Sequence, residues 1–226
     1  MSGAEALIRW NSRKYGFIGP NIFIPLLEDS ALIIPLGRWI INTAAKACNR
    51  WITSIPDFVM HINLSFVQIV KSNIIKDVLE NIERYSAANN HYVFEITETI
   101  EMDQIPAVQN VFKEFAKNEF RFAIDDFGTG YSNYGYMRDR TFDIVKVDRS
   151  FVTDIDKLKD NYLMVSFIIK MAHEMGLHVC IEGVETKEEL SCVKKLGADY
   201  IQGYYYGRPV CLQDFEEQHL KRFVLG

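Results

Sequence analysis

Seven short apolar runs, spaced by longer helix-periodic segments, constrain this 226-residue chain more than any other feature. They are AEALIRW (4–10), FVMHINLS (58–65), YVFEITE (92–98), FRFAIDDF (120–127), DIVKVD (143–148), LHVCIEGV (177–184) and YIQGYYYG (200–207). Runs of this length, rich in β-branched and aromatic residues, read as strands. Between them lie helices with visible start signals. Ser65 and Gln68 have capping-box spacing ahead of VQIVKSNIIKDVLENIERY, and Thr186 and Glu189 repeat it ahead of LSCVKKL, which Gly197 closes. Further helices are predicted over 35–50, 104–118 and 158–175. Strands alternating with helices imply a mostly parallel sheet covered on both faces. Seven strand–helix units fall one short of a (β/α)8 barrel, whose usual size is about 250 residues. An open doubly wound sheet is the other solution, but no G-x-G-x-x-G opens a helix here. The barrel is the expected fold.

No linker, low-complexity run or repeat divides the chain, so a single domain over 1–226 is expected. The net charge of −5 excludes a broad basic surface for DNA or RNA, although a small anion can bind where cations offset the field. Cys48, Cys180, Cys192 and Cys211 show neither CxxC nor zinc-finger spacing. Placed in helix-like and apolar segments, Cys48, Cys180 and Cys192 read as small buried hydrophobes in a reducing compartment. No signal peptide opens the sequence. The longest apolar-rich segment, ALIIPLGRWII, is interrupted by Pro35, Gly37 and Arg38, so no membrane span is expected.

What ends the strands points to chemistry. Glu5 lies early in the first run, Asn63 near the end of the second, and Glu95 and Glu98 in the third. Asp125 and Asp126 close the fourth, Lys146 and Asp148 the fifth, Glu182 and Glu185 the sixth, and Gln202 lies in the seventh. In a barrel these strand ends converge on the face that holds the active site. Converging acids repel unless cations sit between them, and oxygen-only donors suit Mg²⁺ or Mn²⁺. So many donors favour two ions sharing a carboxylate. Any one of these acids alone reads better as a solvated loop residue or helix cap. Glu98 and Glu185 suit loop-holding roles, and Asp148 suits an arginine partner as well as it suits chemistry. The set is what argues, because burying Asn63 or Lys146 unpartnered costs several kcal/mol. His61, His91, His173, His178 and His219 lack ligand spacing. Tyr204, Tyr205 and Tyr206 are expected to alternate in and out of a strand, and Lys157 to Asp160 to be a solvated helix start.

With EALIRW, FIPLLEDSALI, INLS, FEITE, DDFGTGYS, DIVKVDRSF, IEGVET and QGYYYGRP in this order, the chain resembles the EAL-domain cyclic di-GMP phosphodiesterases over nearly its whole length. The resemblance implies a modified (β/α)8 TIM-like barrel with one antiparallel strand, and hydrolysis of cyclic di-GMP to linear pGpG with two Mg²⁺ or Mn²⁺ ions activating a water. It implies Glu5, Asn63, Glu95 and Asp125 as ligands of a first metal, with Asp125 bridging to a second held by Asp126 and Glu182. Glu5, Lys146, Glu182 and Gln202 are the implied catalytic residues. Leu7, Arg9, Asp148 and Arg208 are the implied substrate contacts, Arg9 at phosphate and Arg208 at the guanine end. FGTGYS matches a flexible loop, with Gly128, Thr129 and Gly130 in it and Glu98 and Glu185 supporting it. The family pattern places a strand with a Tyr-Gln-Pro-Ile-like motif before EAL. This sequence opens at MSGAEAL, so the expected barrel lacks that N-terminal antiparallel strand and is N-terminally short. A homodimer, a sensor or GGDEF domain on the parent chain and a cytoplasmic location are also implied. The alternative is a catalytically silent cyclic di-GMP receptor or protein-interaction module.

Overall fold

The computed structural model describes residues 2–85, 87–97, 106–129 and 142–220. The strands are β1 (Gly3–Ala6), β2 (Trp10–Ser12), β3 (Gly16–Ile18), β4 (Val59–Asn63), β5 (Tyr92–Thr97), β6 (Arg121–Phe127), β7 (Ile144–Val147), β8 (His178–Ile181) and β9 (Tyr200–Ile201). Seven form one sheet in the order β1-β4-β5-β6-β7-β8-β9, and β2 pairs with β3. The α/β class read from the sequence is the class observed. The chain divides into two compact units: Met1–Phe94, Pro106–Arg121 and Val210–Gly226 make the first, Glu95–Ile105 and Phe122–Pro209 the second. β5 contributes Tyr92–Phe94 to the first and Glu95–Thr97 to the second.

In the first unit β1 runs parallel to β4, Glu5 opposite His61. Helix Ile33–Trp51 buries Ile33, Gly37, Ile41, Ala44, Ala45 and Cys48, the stripe its helical period dictates. Phe94 meets Phe115 and Phe120 edge to face, with ring centroids 5.1 and 5.6 Å apart. Burial pushes the Cys48 thiol up to about 11 despite a hydrogen bond with Tyr92, which keeps it neutral and inert.

Three expectations need correction in this unit. The run at 4–10 is not one strand: it ends at Ala6, and Trp10–Ser12 instead pairs antiparallel with Gly16–Ile18. Ser12 Oγ accepts from the N–H of Lys14 and Tyr15, and Gly16 takes φ +70°, which closes the hairpin. A helix over Pro20–Asp29, opened by Pro20 in its first turn, was not anticipated. The helix expected through 67–85 is two helices, Phe66–Lys71 and Ile74–Ile82. Ser72 is extended, and the Asn73 side chain accepts from Lys76 N to start the second.

In the second unit β6, β7, β8 and β9 pair in parallel. All four residues of β7 are buried, as in a sheet covered on both faces. Helix Lys159–Glu174 covers it with Val165, Ile168, Ile169 and Ala172. The seventh expected strand is cut to Tyr200–Ile201. A side chain at Gly203 would collide with the Val184 carbonyl, and the Tyr205 N–H donates to that same oxygen, so the chain turns away from the ladder. Tyr204, Tyr205 and Tyr206 are therefore exposed rather than alternating in and out of a strand.

The predicted capping box at Thr186 and Glu189 is present before helix Lys187–Leu196, and Gly197 ends that helix at φ +88°. The buried Glu189 carboxylate accepts N–H bonds from Glu185, Thr186 and Asp154. Burial works to raise its pKa, but these bonds outweigh it and hold the group below its ordinary value. A depressed carboxylate contributes stability that is present above its unfolded pKa and lost as pH falls through the folded one. Glu189→Gln should therefore flatten the acid side of the stability–pH profile in urea titrations. Glu189→Ala should cost about 1–3 kcal/mol at neutral pH. Among the described residues no helix is long and apolar enough to cross a membrane.

Candidate functional site

Asp125 and Asp126 are consecutive on β6, and a regular strand would send their side chains to opposite faces. The strand is not regular there. Its register against β7 shifts between Ile124 and Phe127, and Asp126 takes φ +52°. Such a bulge re-aims a side chain, and aspartate is among the few residues that accept the left-handed region. The result is that carboxylate oxygens of Asp125, Asp126 and Glu182 all lie within 4.8 Å of one another. Glu182 follows β8, its N–H donating to Val147 O, so the ends of β6 and β8, the two strands that flank β7, supply the three acids.

Beneath them lies Lys146, 1% exposed on β7. Its Nζ is 2.8 Å from Glu95 Oε2, 2.9 Å from Asp125 Oδ1 and 2.8 Å from Glu182 Oε1. A buried ammonium is tolerable only when its charge is met at close range, and here three carboxylates meet it. Four acids against one ammonium leave an excess of negative charge in a partly buried setting. Hard oxygen donors so arranged suit a divalent cation such as Mg²⁺ or Mn²⁺.

In the first unit, Asn63 Nδ2 donates to Glu5 Oε1 at 2.6 Å, so the ends of β1 and β4 present an amide and a carboxylate together. Two residues after Asn63, Ser65 Oγ caps its helix through Val67 N and donates to Glu28 Oε1 at 2.5 Å. Glu28 had no role in the sequence reading, since nothing in PLLEDSALI marks which acid faces inward. Leu7 and Arg9 are exposed beyond β1.

The remaining residues fall into supporting places in the second unit. Asp148 Oδ1 accepts from Ser150 N and so caps the turn Arg149–Phe151. Glu185 pairs with Arg149 at 3.2 Å. Gln202 follows β9, its N–H bonded to Ile181 O. The Arg208 guanidinium lies 4.3 Å over the Tyr204 ring. Gly128 takes φ +97°, and both the N–H and the hydroxyl of Thr129 return to Asp126 O. Glu98 and Gly130 lie outside the described residues.

The family model of the EAL domain matches residues 1–209. MucR of Pseudomonas aeruginosa, a bifunctional diguanylate cyclase/cyclic di-GMP phosphodiesterase, is 31% identical over 211 residues, covering 93% of this chain and 31% of MucR. PdeL of Escherichia coli, a cyclic di-GMP phosphodiesterase, is 32% identical over 213 residues, covering 93% of this chain and 58% of PdeL. The chain thus spans less than two thirds of either curated relative. The structure of the EAL enzyme Bd1971 bound to cAMP and cyclic di-GMP matches with a TM-score of 0.90 at 35% identity, over 96% of this chain and 60% of that one. The PaMucR phosphodiesterase in complex with c-di-GMP matches with a TM-score of 0.88 at 30% identity, over 95% of this chain and 87% of that one.

Proposed function

Since the chain belongs to the EAL domain family, we propose that it is a metal-dependent phosphodiesterase that opens cyclic di-GMP to linear pGpG. The observation that carries this is the convergence of Asp125, Asp126 and Glu182 above a lysine whose charge is already met by Glu95, Asp125 and Glu182. The family pattern assigns Glu5, Asn63, Glu95 and Asp125 to a first ion, and Asp125, Asp126 and Glu182 to a second. When bound, such ions supply hydroxide near neutral pH and offset the charge of the phosphodiester.

The chain's own residues do the rest. Three ion pairs hold the Lys146 ammonium in one place, so it offers a fixed positive charge to the oxygens that become more negative as phosphorus is attacked. Fixing the charge beforehand removes the reorganisation that solvent would require. Gln202 is assigned to the attacking water, Leu7, Arg9 and Asp148 to contacts with substrate, and Arg9 in particular to its phosphate. The Arg208 guanidinium stacked on Tyr204 is a flat cationic face of the kind on which nucleobases stack. A homodimer, a sensor or GGDEF region elsewhere on the parent chain, and a cytoplasmic setting belong to the same proposal.

Purified protein incubated with cyclic di-GMP and Mn²⁺ should yield pGpG, and EDTA should stop the reaction. Tight nucleotide binding with no product would assign the chain instead to the silent receptors.

A further inference from the structure

We infer that the turn Arg149–Phe151, which follows β7, is a positioning element that sets the loops carrying Asp126 and Glu182, and through them the affinity of the site for its second divalent cation. This rests on the metal-dependent reading above, and adds to it two residues that bind no metal.

The two side chains of the turn reach in opposite directions, and each lies on a glycine. A Cβ at Gly128 would come within 2.7 Å of Phe151 Cε2 and 2.9 Å of Cζ, so the ring edge rests on the Gly128 backbone, two residues beyond Asp126. A Cβ at Gly183 would lie 2.5 Å from Arg149 Cβ and collide with its Cγ, so the Arg149 stem crosses the backbone beside Glu182. The Arg149 head continues to Glu185. Gly128 and Gly183 take φ +97° and +71°, so backbone conformation and lack of space both exclude a side chain there.

The turn is itself held from behind. Asp148 caps it through Ser150 N. Asn161, on helix Lys159–Glu174, donates to Thr153 O at 3.0 Å. Glu189 takes the N–H of Asp154. A rigid turn pressed on one side against the Asp126 loop and on the other against the segment after Glu182 fixes the spacing of the two carboxylates. Outer residues that orient metal ligands act on affinity in this way.

The test compares wild type, Phe151→Ala, Phe151→Leu and Arg149→Ala in the full chain. Mn²⁺ affinity is read by isothermal titration calorimetry, with thermal unfolding and cyclic di-GMP hydrolysis against Mn²⁺ concentration alongside. Phe151→Ala and Arg149→Ala should each weaken Mn²⁺ binding about tenfold. Hydrolysis should recover towards wild type at saturating Mn²⁺, and Phe151→Leu should stay near wild type in both. Arg149 is exposed and its surface ion pair adds little stability, so Arg149→Ala should melt with wild type. A role confined to structure would leave its Mn²⁺ affinity unchanged, and that result overturns the proposal. Should Phe151→Ala fail to fold, Arg149→Ala decides alone. A wild-type chain that binds Mn²⁺ without hydrolysing cyclic di-GMP refutes the phosphodiesterase and leaves the positioning role to the affinities. A wild-type chain that binds no Mn²⁺ overturns both.

Discussion

Lys146→Met is expected to lose about 3–5 kcal/mol of unfolding free energy, the cost of leaving buried charges without their partner. Glu95, Asp125 and Glu182 each approach the ammonium to within 2.9 Å, and the Glu95 side chain is wholly buried. Methionine matches the length of the stem but leaves the acids facing one another. Urea unfolding in EDTA measures the loss. Two further outcomes separate electrostatics from packing. Adding Glu95→Gln to Lys146→Met should return part of the stability, because the pair is coupled and the effects are not additive. Mn²⁺ should return part of it as well, since a cation that binds the folded state shifts the equilibrium by mass action. A variant as stable as wild type in EDTA would mean that the carboxylates take up protons at little cost, and that the lysine is not what holds them. Turnover should fall in parallel and should not return with Mn²⁺, because the proposed mechanism needs the fixed charge of Lys146 beside phosphorus.

Asp126→Asn should do the reverse: stability held or raised, turnover lost. Asp126 is exposed, stands next to Asp125 and sits at φ +52°, a conformation asparagine adopts at least as readily as aspartate. Removing its charge relieves repulsion within the acid cluster, and improved surface charge commonly gains about 0.5–2 kcal/mol. Hydrolysis should fall at least about 100-fold, the upper end of what loss of an outer partner does, because the proposed function makes Asp126 a direct ligand. Asp126→Val removes the same charge but places a β-branched residue at positive φ. It should be destabilised by about 1–3 kcal/mol, as strained backbone positions are. Measuring both by thermal unfolding and by pGpG release separates backbone from carboxylate. Full turnover in Asp126→Asn at limiting Mn²⁺ would remove Asp126 from the metal site.

Much of the scaffold was open to reading because its signals are local. Apolar runs, two capping boxes and the glycine after Leu196 are short patterns with direct physical causes, and they placed strands and helices close to where they stand. The departures come from contacts between residues far apart in sequence. The strand at 200–207 stops early because Gly203 packs on the Val184 carbonyl, which no window around Gly203 can disclose. The hairpin of β2 and β3 is three residues a side and largely exposed, so it carries no apolar alternation. The break after Lys71 was visible in principle as Ser72-Asn73, but the apolar period continues across it.

The site divides in the same way. Acids at strand ends are a sequence pattern, whereas the bulge that brings consecutive aspartates to one side depends on a backbone angle that composition does not dictate. Asp148 and Glu185 were legible as acids near strand ends, but their local partners, Ser150 N and Arg149, follow only from the shape of the turn after β7.

The left-handed aspartate also shapes how a lineage could change. An aspartate codon reaches asparagine or glycine by one nucleotide substitution, and both residues are at ease at the φ of position 126. The first steps from a working hydrolase to a silent nucleotide sensor therefore cross no folding barrier. A descendant retaining its scaffold but not its chemistry would carry the exchange at the second aspartate of the pair. The reverse path is equally short, so relatives differing here by asparagine should regain hydrolysis by reversion while their melting temperature stays level or falls slightly.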